Sequence, residues 1–355
     1  MSGRSDGSKR PYDLLRRIIG PLAAPVYGAV VARRNRRFDR GVGVKRVPVP
    51  VVSVGNLTVG GTGKTPFVMW LCRNLIARGV KPAIAMRGYK AERSGGRSDE
   101  AEEYRAALQG VPVIVNPDRH AGIAAFLADG NTAHVVVLDD GFQHRQLHRD
   151  LDIVLIDARA GTPDDRLLPW GDLREPVAGL KRAGAVVITH ADDAVGADRT
   201  QHAVTPLLGP GVPLLRAEHR WSGMSVTDGA SETTWRVEWL KGKRVAALCG
   251  VARPESFLKM LRATGCDIVA SVQLRDHQPV DAATAGSLAT AAKRERAQIV
   301  VTTAKDFARM GQVPGAWKGL AVARPRLELV VAPSEPLIER VLAASGGVGP
   351  VGPAR

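Results

Sequence analysis

Residues 51–66 read VVSVGNLTVGGTGKTP, and this stretch decides the fold. A β-branched run leads into a glycine-rich loop, and apolar residues then recur at helical spacing through positions 68, 71, 75 and 76. This order predicts a buried strand, a loop and a helix, with Pro66 at the first helical position and Gly79 ending the helix. A glycine-rich loop between a strand and a helix is typical of sites that bind phosphate groups.

The residue types in this loop indicate a nucleotide. Glycines let backbone N–H groups approach phosphates, and the start of the helix adds partial positive charge. We expect Lys64 to reach the β- and γ-phosphates of ATP and the Thr65 hydroxyl to hold Mg²⁺. The common form of the loop has glycine where this chain has Thr58, so the loop is a Gly-Gly-x-Gly-Lys-Thr variant. The predicted phosphate-binding residues are Thr58, Val59, Gly60, Gly61, Thr62, Gly63, Lys64 and Thr65.

A second apolar run, at residues 134–138, ends in Asp139 and Asp140. A carboxylate after a hydrophobic strand is a common protein partner of nucleotide-bound magnesium. We therefore expect Asp139 to contact the metal, and Asp140 is placed to share that role. Together with the glycine loop, these residues predict ATP and Mg²⁺ as the bound cofactors.

Strand-like runs recur along the chain in two series. The first covers residues 49–54, 83–86, 111–115, 134–138, 152–156 and 185–188, and the second covers 245–248, 268–272, 299–303 and 327–331. Continuous rather than alternating apolar runs indicate parallel strands buried on both faces. The predicted fold class is α/β, a P-loop doubly wound and mostly parallel sheet with a second, smaller α/β domain. We expect an N-terminal segment at 1–40, the P-loop domain at 41–215, a linker at 216–240 and the smaller domain at 241–345.

Positive charge is concentrated at the N-terminus. The formal net charge is +15, and residues 1–49 carry 12 basic against three acidic side chains. Such a segment attracts nucleic acid, a phosphorylated substrate or an anionic membrane leaflet. Aromatic residues make up only 5% of the chain, which argues against nucleic acid.

Residues 18–32 are uncharged and lie between two pairs of arginines. The stretch is shorter than the roughly 20 residues that span a bilayer, and the charge that continues after it argues against a signal peptide. We favour a segment lying in the interface of an anionic membrane, and a packed N-terminal helix is the alternative. The three cysteines form no CxxC or Cys/His cluster, so neither a disulfide framework nor a zinc site is indicated.

Several blocks of the sequence follow the order found in one known family. They are residues 55–66, 139–144 (DDGFQH), 149–153 (RDLDI) and 168–176 (LPWGDLREP), with further matches at 87–89, 99–100, 118–119, 253–257 and 276–277. Over roughly residues 12–340 the chain resembles the tetraacyldisaccharide 4′-kinases, the lipid A kinases of outer-membrane biogenesis. The resemblance implies transfer of the ATP γ-phosphate to the 4′-hydroxyl of a tetraacylated glucosamine disaccharide 1-phosphate. It further implies two α/β domains joined by a short β linker, and an N-terminal segment docked on the cytoplasmic face of the inner membrane.

The same resemblance implies roles for individual residues. They are Asp99, His277 and Lys64 in catalysis, Glu175 on the magnesium shell, and Tyr89, Arg119 and His144 as substrate contacts. A carboxylate such as Asp99 can accept the proton of an acceptor hydroxyl, while His277 could orient that carboxylate or contact phosphate. Glu175 could equally form an ion pair at a helix end. Met86 stands where the family commonly has serine, and this and similar departures leave the acyl-chain preference open.

Two other functions compete with the kinase of lipid A. One is a membrane-associated P-loop ATPase that positions protein partners, whose loop would carry lysine where this chain has Val59. The other is a soluble kinase of a small phosphorylated metabolite, for which the basic and apolar N-terminus would be superfluous. We expect a lipid substrate and an anionic membrane surface as partners, and we predict no protein partner.

Overall fold

The computed structural model describes residues 13–88, 98–160, 166–229, 231–251, 254–275, 278–310 and 312–346, with side chains from residue 19 onward except that of Asp99. The described chain divides into two units. The first runs up to Glu218 and resumes at Leu329, and the second comprises His219–Glu328. Tyr89 and His277 lie outside the described residues, as does the side chain of Asp99.

The first unit is built on a parallel sheet with the order β7-β6-β5-β1-β4-β2-β3. The strands are β1 (Val51–Asn56), β2 (Pro82–Met86), β3 (Val113–Val115), β4 (Val135–Asp139), β5 (Leu151–Asp157), β6 (Ala185–Thr189) and β7 (Leu214–Asp228). All six residues of β1 are buried, as expected of a central strand covered on both faces. The carboxyl ends of β1 and β4 meet at the same edge of the sheet, which places the glycine loop beside Asp139.

Helices cover this sheet and supply its core. They are α1 (Asp13–Asp39), α2 (Lys64–Ile76), α3 (Asp99–Ala107), α4 (Arg119–Ala128), α5 (Ala194–Val204) and α9 (Glu335–Ala344). Phe67, Leu71 and Leu75 of α2 are fully buried and pack in one cluster with Ile338 and Val341 of α9. The glycine loop is therefore mounted on a rigid strand and a well-packed helix.

The second unit carries a smaller sheet with the order β10-β9-β11-β12-β7. Its elements are β8 (Ser231–Trp235), β9 (Arg244–Cys249), β10 (Asp267–Gln273), β11 (Ile299–Thr302), β12 (Ala321–Ala332), α6 (Pro254–Ala263), α7 (Ala282–Arg294) and α8 (Ala304–Met310). Strands β9 to β11 are parallel, β11 pairs with β12 in parallel, and β8 pairs with β7 in antiparallel. Strands β7 and β12 are the two places where the chain passes from one unit into the other.

The α/β fold class predicted from the sequence is confirmed, and each of the ten predicted strands overlaps an observed one. Two boundaries differ. The polar stretch expected to be a linker at 216–240 forms most of β7, all of β8 and a short 3₁₀ turn, because alternate residues of β7 such as Met224 and Val226 are buried. Residues 329–345, expected in the smaller domain, belong to the first unit because Leu329, Val331 and α9 pack into its core.

Helix α1 covers most of the N-terminal segment expected at 1–40. It runs for 27 residues, with Pro21 and Pro25 inside it. A Cβ on Gly20 would lie only 2.8 Å from the Cα of Trp170, so the helix packs closely on the 166–174 segment of the first unit. No helix in the described ranges is long and apolar enough to cross a membrane.

Candidate active site

The glycine loop joins β1 to α2 as predicted, with one local difference. Gly63 caps the helix in the left-handed region at a φ of 77°, and Gly60 has a φ of 116°, so both positions favour glycine. Lys64 opens the helix, which makes Pro66 its third residue rather than its first. Proline is tolerated there because the first four N–H groups of a helix have no intrahelical partner.

Backbone hydrogen bonds hold the loop in place from two sides. The N–H of Val59 donates to the carbonyl of Asp172 at 2.8 Å, and the N–H of Arg174 donates to the carbonyl of Leu57 at 2.7 Å. On the other side, the Thr189 hydroxyl donates to the carbonyl of Thr62 at 2.9 Å. A Cβ built on Gly60 or Gly61 would meet no described atom within 4 Å, so this part of the loop faces open space.

Lys64 is held at the base of the loop by two polar neighbours. Its Nζ donates to Asn56 Oδ1 at 3.2 Å and lies 3.6 Å from Asp140 Oδ1. Asn56 is itself oriented by a 2.7 Å bond from its Nδ2 to the carbonyl of Thr58. The ammonium group is therefore directed along the loop, where phosphate groups would lie.

Asp139 lies at the end of β4 and is 6% exposed. Its Oδ2 accepts a 3.1 Å hydrogen bond from the Tyr104 hydroxyl, and its Oδ1 is buried without a hydrogen-bond partner in the described chain. Burial raises the pKa of Asp139 to about 6, although Lys64 opposes the shift. Burial also raises the pKa of Tyr104, whose hydroxyl has Thr65 beside it. One carboxylate oxygen and the Thr65 hydroxyl are thus available together in a desolvated place.

Asp140 has a different environment from its neighbour. Its backbone is left-handed, with a φ of 51°, and both of its carboxylate oxygens accept from Arg174 Nη1, at 2.9 and 2.8 Å. Burial alone would raise the pKa of Asp140, but Lys64 and Arg174 outweigh it and lower that pKa. Asp140 is therefore an ionised anchor for two cations.

Glu175, expected on the magnesium shell, is a buried carboxylate with several protein contacts. It is 1% exposed, its Oε1 accepts from Gln143 at 2.9 Å, and its Oε2 accepts from Arg182 at 2.7 Å and Asn35 at 3.3 Å. Both oxygens are engaged in protein contacts here, and the metal role expected of Glu175 stays a prediction. Glu175 links α1 to Gln143, which also donates to the carbonyl of Asn56 at 2.9 Å.

Arg119 and His144, both expected to contact the substrate, lie together. Arg119 Nη1 is 3.4 Å from His144 Nδ1 and 3.3 Å from the carbonyl of Pro117. Burial, followed by the charge of Arg119, lowers the pKa of His144 to about 4, so the ring is neutral near pH 7. Because a guanidinium only donates, Nδ1 must accept and the ring proton lies on Nε2.

These groups line one cavity of about 940 Å³ in the first unit. Among its lining residues are Val59, Gly60, Gly61, Thr62, Gly63, Lys64, Thr65, Asp139, Asp140, Arg119 and His144. Glu175 does not line it. Among the described residues, no three His, Cys, Asp or Glu side chains are grouped to hold a metal ion. A site with Asp139 and Thr65 suits Mg²⁺, which keeps several waters and binds through one or two protein groups plus phosphate oxygens.

Comparison with known proteins agrees with this geometry. A sequence model of LpxK, described as tetraacyldisaccharide-1-P 4′-kinase, matches residues 15–344. The chain belongs to the tetraacyldisaccharide 4′-kinase family. The tetraacyldisaccharide 4′-kinase of Anaeromyxobacter dehalogenans strain 2CP-C is 37% identical over 87% of this chain and 86% of its own length. That of Chlorobaculum parvum is 36% identical over 88% of this chain and 89% of its own length.

A solved structure gives the same result. LpxK from Aquifex aeolicus, crystallised in complex with ATP, has a TM-score of 0.64 and 29% identity, covering 93% of this chain and 99% of that one. The chain is thus an ATP-dependent kinase of lipid A biosynthesis that phosphorylates the 4′ position of a tetraacyldisaccharide. Membership of the family excludes the two alternatives, a partner-positioning ATPase and a soluble kinase of a small metabolite.

Sequence reasoning missed several residues that shape this family's site here. Asn56, Tyr104, Gln143 and Arg174 contact Lys64, Asp139, Glu175 and Asp140 respectively, and the sequence analysis gave none of them a role. Asn56 and Gln143 lie inside the blocks 55–66 and 139–144 that match the family. Their position marked them as candidates for the site, but it did not say what they do. Tyr104 had no such signal, because its contact with Asp139 joins residues 35 positions apart.

Proposed function

We propose that γ-phosphate transfer in this kinase takes place in the 940 Å³ cavity, with Lys64, Thr65 and Asp139 as its central groups. The observation that carries the proposal is their convergence: a lysine, a hydroxyl and a buried carboxylate with an unpartnered oxygen surround one glycine loop. Mg²⁺ held by Thr65 and Asp139 would neutralise charge on the β- and γ-phosphates when bound.

The remaining residues act by position and charge. Backbone N–H groups of residues 60–65 donate to the phosphate oxygens, and Lys64 leaves Asn56 and Asp140 to stabilise the charge that develops on the γ-phosphoryl group. Arg119 lies on the same cavity wall and can bind an acceptor or phosphate oxygen. Asp140 and Arg174 remain paired and hold the loop end that carries Asp139.

The acceptor hydroxyl also needs a base. The family resemblance supports Asp99 in this role. The backbone of Asp99 begins α3, the helix that places Tyr104 beside Asp139. We assign His277 to the same step as the group that orients Asp99 or contacts phosphate. Tyr89 completes the proposed set as a substrate contact.

A kinase assay tests the catalytic proposal. The purified protein is incubated with labelled ATP, Mg²⁺ and tetraacyldisaccharide 1-phosphate in detergent, beside the variants Lys64→Ala and Asp139→Asn. We expect each variant to lose at least about a hundredfold in turnover, and Asp139→Asn to bind Mg²⁺–ADP more weakly by calorimetry without loss of metal-free ADP binding.

Two exposed residues provide matched controls for this assay. Lys81→Ala and Asp129→Asn remove the same charges away from the cavity and should retain full turnover. Wild-type protein that yields no 4′-phosphorylated product would refute the assignment. Equal loss of ADP binding with and without Mg²⁺ in Asp139→Asn would show that Asp139 is structural.

We further propose that α1 places this kinase on the cytoplasmic face of the inner membrane as a peripheral protein. Ile19, Leu22, Val26 and Val30 are exposed, from 48% to 77%, and their spacing of three and four residues puts them on one stripe of the helix. Arg33 and Arg37 continue the same spacing. The opposite face packs on the first unit through Gly20, Tyr27 and Asn35. An exposed apolar stripe that ends in arginines suits the interface of an anionic membrane.

A further inference from the structure

Tyr104 of α3 does not line the nucleotide cavity, but its hydroxyl reaches two residues that do. The side chain is fully buried and belongs to the same core cluster as Phe67 and Cys72 of α2. Its hydroxyl donates to Asp139 Oδ2 at 3.1 Å and makes a second polar contact with the side chain of Thr65. One hydroxyl group is therefore shared by the two side chains proposed to hold Mg²⁺.

The donors and acceptors among these three side chains follow from their chemistry. A tyrosine hydroxyl has one proton to donate and an oxygen that can also accept, whereas an ionised carboxylate only accepts. Because the proton of Tyr104 goes to Asp139, its contact with Thr65 requires the Thr65 hydroxyl to donate. The hydrogen bonds therefore run from Thr65 to Tyr104 and from Tyr104 to Asp139.

This direction leaves one oxygen of each cavity residue available to a cation. The Thr65 proton is directed to Tyr104, so the lone pairs of the Thr65 oxygen are left for another partner. Asp139 Oδ2 is occupied by Tyr104, whereas Oδ1 is buried without a hydrogen-bond partner in the described chain. A buried carboxylate oxygen without a partner is unfavourable, and a bound cation would remove that cost.

Packing fixes the place of the Tyr104 hydroxyl. Ala101 and Leu108 of the same helix are also buried in the core cluster of the first unit. Arg73 of α2 donates from Nη2 to the carbonyl of Ala107 at 3.3 Å, which joins α2 to the end of α3. Close-packed interiors leave a ring of this size little freedom to move. The hydroxyl is therefore held in position before a nucleotide or a metal ion binds.

We infer that Tyr104 is a positioning residue for phosphoryl transfer, which presents the Thr65 oxygen and Asp139 Oδ1 together to one divalent cation. This inference rests on the proposed function, because it takes Thr65 and Asp139 as the protein groups for Mg²⁺. Mg²⁺ requires nearly octahedral geometry and binds through few protein groups, so the orientation of those groups matters strongly. Residues that hydrogen-bond to metal ligands supply this orientation in many metal sites.

Tyr104→Phe tests the inference, since it removes the hydroxyl and keeps the ring in the core. We expect the free Mg²⁺ concentration that gives half-maximal turnover to rise roughly tenfold to a hundredfold. Calorimetry provides a second measurement that does not depend on activity. At a fixed free Mg²⁺ concentration, the gain in ADP affinity over metal-free conditions should shrink, while metal-free ADP binding stays unchanged.

Thr200→Val is the matched control, because it also removes a fully buried hydroxyl, on α5 and away from the cavity. It should have the Mg²⁺ requirement of wild type. The inference is overturned if Tyr104→Phe keeps the wild-type Mg²⁺ requirement or if Thr200→Val changes that requirement equally. Loss of metal-free ADP binding in Tyr104→Phe would show that the hydroxyl is structural and would overturn it as well.

The double variant Tyr104→Phe/Asp139→Asn shows whether Tyr104 acts through Asp139. Calorimetry should give a combined loss of Mg²⁺-dependent ADP affinity smaller than the product of the two single losses, because residues that act through each other are not additive. A loss equal to that product would contradict the inference.

Asp139→Asn alone separates the inference from the proposed function. If this variant leaves the effect of Mg²⁺ on ADP binding unchanged, the metal role proposed for Asp139 fails, and the inference fails with it. If Asp139→Asn weakens that effect and Tyr104→Phe does not, the proposed function stands and only the positioning role of Tyr104 is wrong.

Discussion

At the scale of single residues, the site depends on polar partners that hold chemical groups in place. Lys64 has Asn56 and Asp140, and Asp139 has Tyr104. Asp139 and Asp140 are adjacent in sequence, yet burial raises the pKa of the first, while Lys64 and Arg174 lower that of the second despite its own burial. The two carboxylates are thus set up for different tasks by their surroundings.

His144 makes stability depend on pH. Burial beside Arg119 lowers its pKa to about 4 in the folded protein, against about 6.5 in an unfolded chain. Between these values the unfolded state binds more protons, so stability from a neutral His144 is complete above about pH 6.5 and is lost as the pH falls toward 4. The difference in unfolding free energy between wild type and His144→Gln should fall from pH 7.5 to 5. The expected size is on the order of 1 kcal/mol, after allowing for solvent screening of a partly exposed ring.

Urea unfolding of both proteins at several pH values measures this difference. Asp139 contributes with the opposite sign, because its raised pKa favours the folded state as the pH falls, but it is present in both proteins and cancels. His202→Gln, at an exposed site on α5, is the matched control and should give a difference that does not change with pH. A constant difference for His144→Gln would show that the ring is not held neutral.

At the scale of elements, helix α1 has one face that packs on the first unit and one face that is exposed. Gly20 and Gly28 permit close packing on Trp170 and Leu167, and Tyr27 donates to the carbonyl of Arg174 at 2.7 Å. The sequence left open a choice between a membrane-interface segment and a packed helix. One face does pack, while the apolar stripe on the other is exposed and supports the membrane proposal.

Charges on the exposed stripe should release the kinase from membranes. The double variant Leu22→Asp/Val26→Asp removes the apolar face without touching the packed one, since Leu22 is 77% and Val26 66% exposed. We expect flotation with phosphatidylglycerol vesicles to fall at least about tenfold. The reason is that burial of two apolar side chains in the membrane interface contributes about 3 kcal/mol or more to binding. The helical content of the variant, from circular dichroism, should be unchanged.

Val195→Asp is the matched control, because Val195 is 78% exposed on α5. It should float as wild type does. Equal flotation of the double variant would contradict the membrane proposal for α1. If wild type floats equally well with neutral phosphatidylcholine vesicles and with phosphatidylglycerol vesicles, Arg33 and Arg37 do not contribute to membrane binding through their charge.

At the scale of the whole molecule, the first unit is completed by the end of the chain. Helix α9 packs Ile338 and Val341 into the cluster that contains Phe67 and Leu71 of α2, and Arg340 donates to the carbonyls of Gly184 and Gly211. The core beneath the glycine loop therefore includes residues that follow it by more than 250 positions in the printed sequence.

Truncation of this distant core should weaken the nucleotide-binding unit. Ile338 is fully buried, so Ile338→Ala should lower the unfolding free energy by about 2–5 kcal/mol. Chemical denaturation followed by loss of kinase activity gives the midpoint for the unit that carries the site. Val195→Ala, at an exposed position, should change the unfolding free energy by no more than about 0.5 kcal/mol. An unchanged midpoint for Ile338→Ala would mean that α9 is not part of the cooperative unit.

The sequence by itself determined the α/β class, the phosphate loop, the strand that presents Asp139 and the family. These features depend on short stretches of sequence, because a buried strand, a glycine turn and a helix start each have a periodic or compositional pattern. Tertiary structure alone decided that Glu175 contacts α1 and Gln143, that α9 belongs to the first unit, and that Tyr104 lies beside Asp139. Those outcomes depend on contacts between distant segments, and a side chain's partners and desolvation are set only when the chain has folded around it.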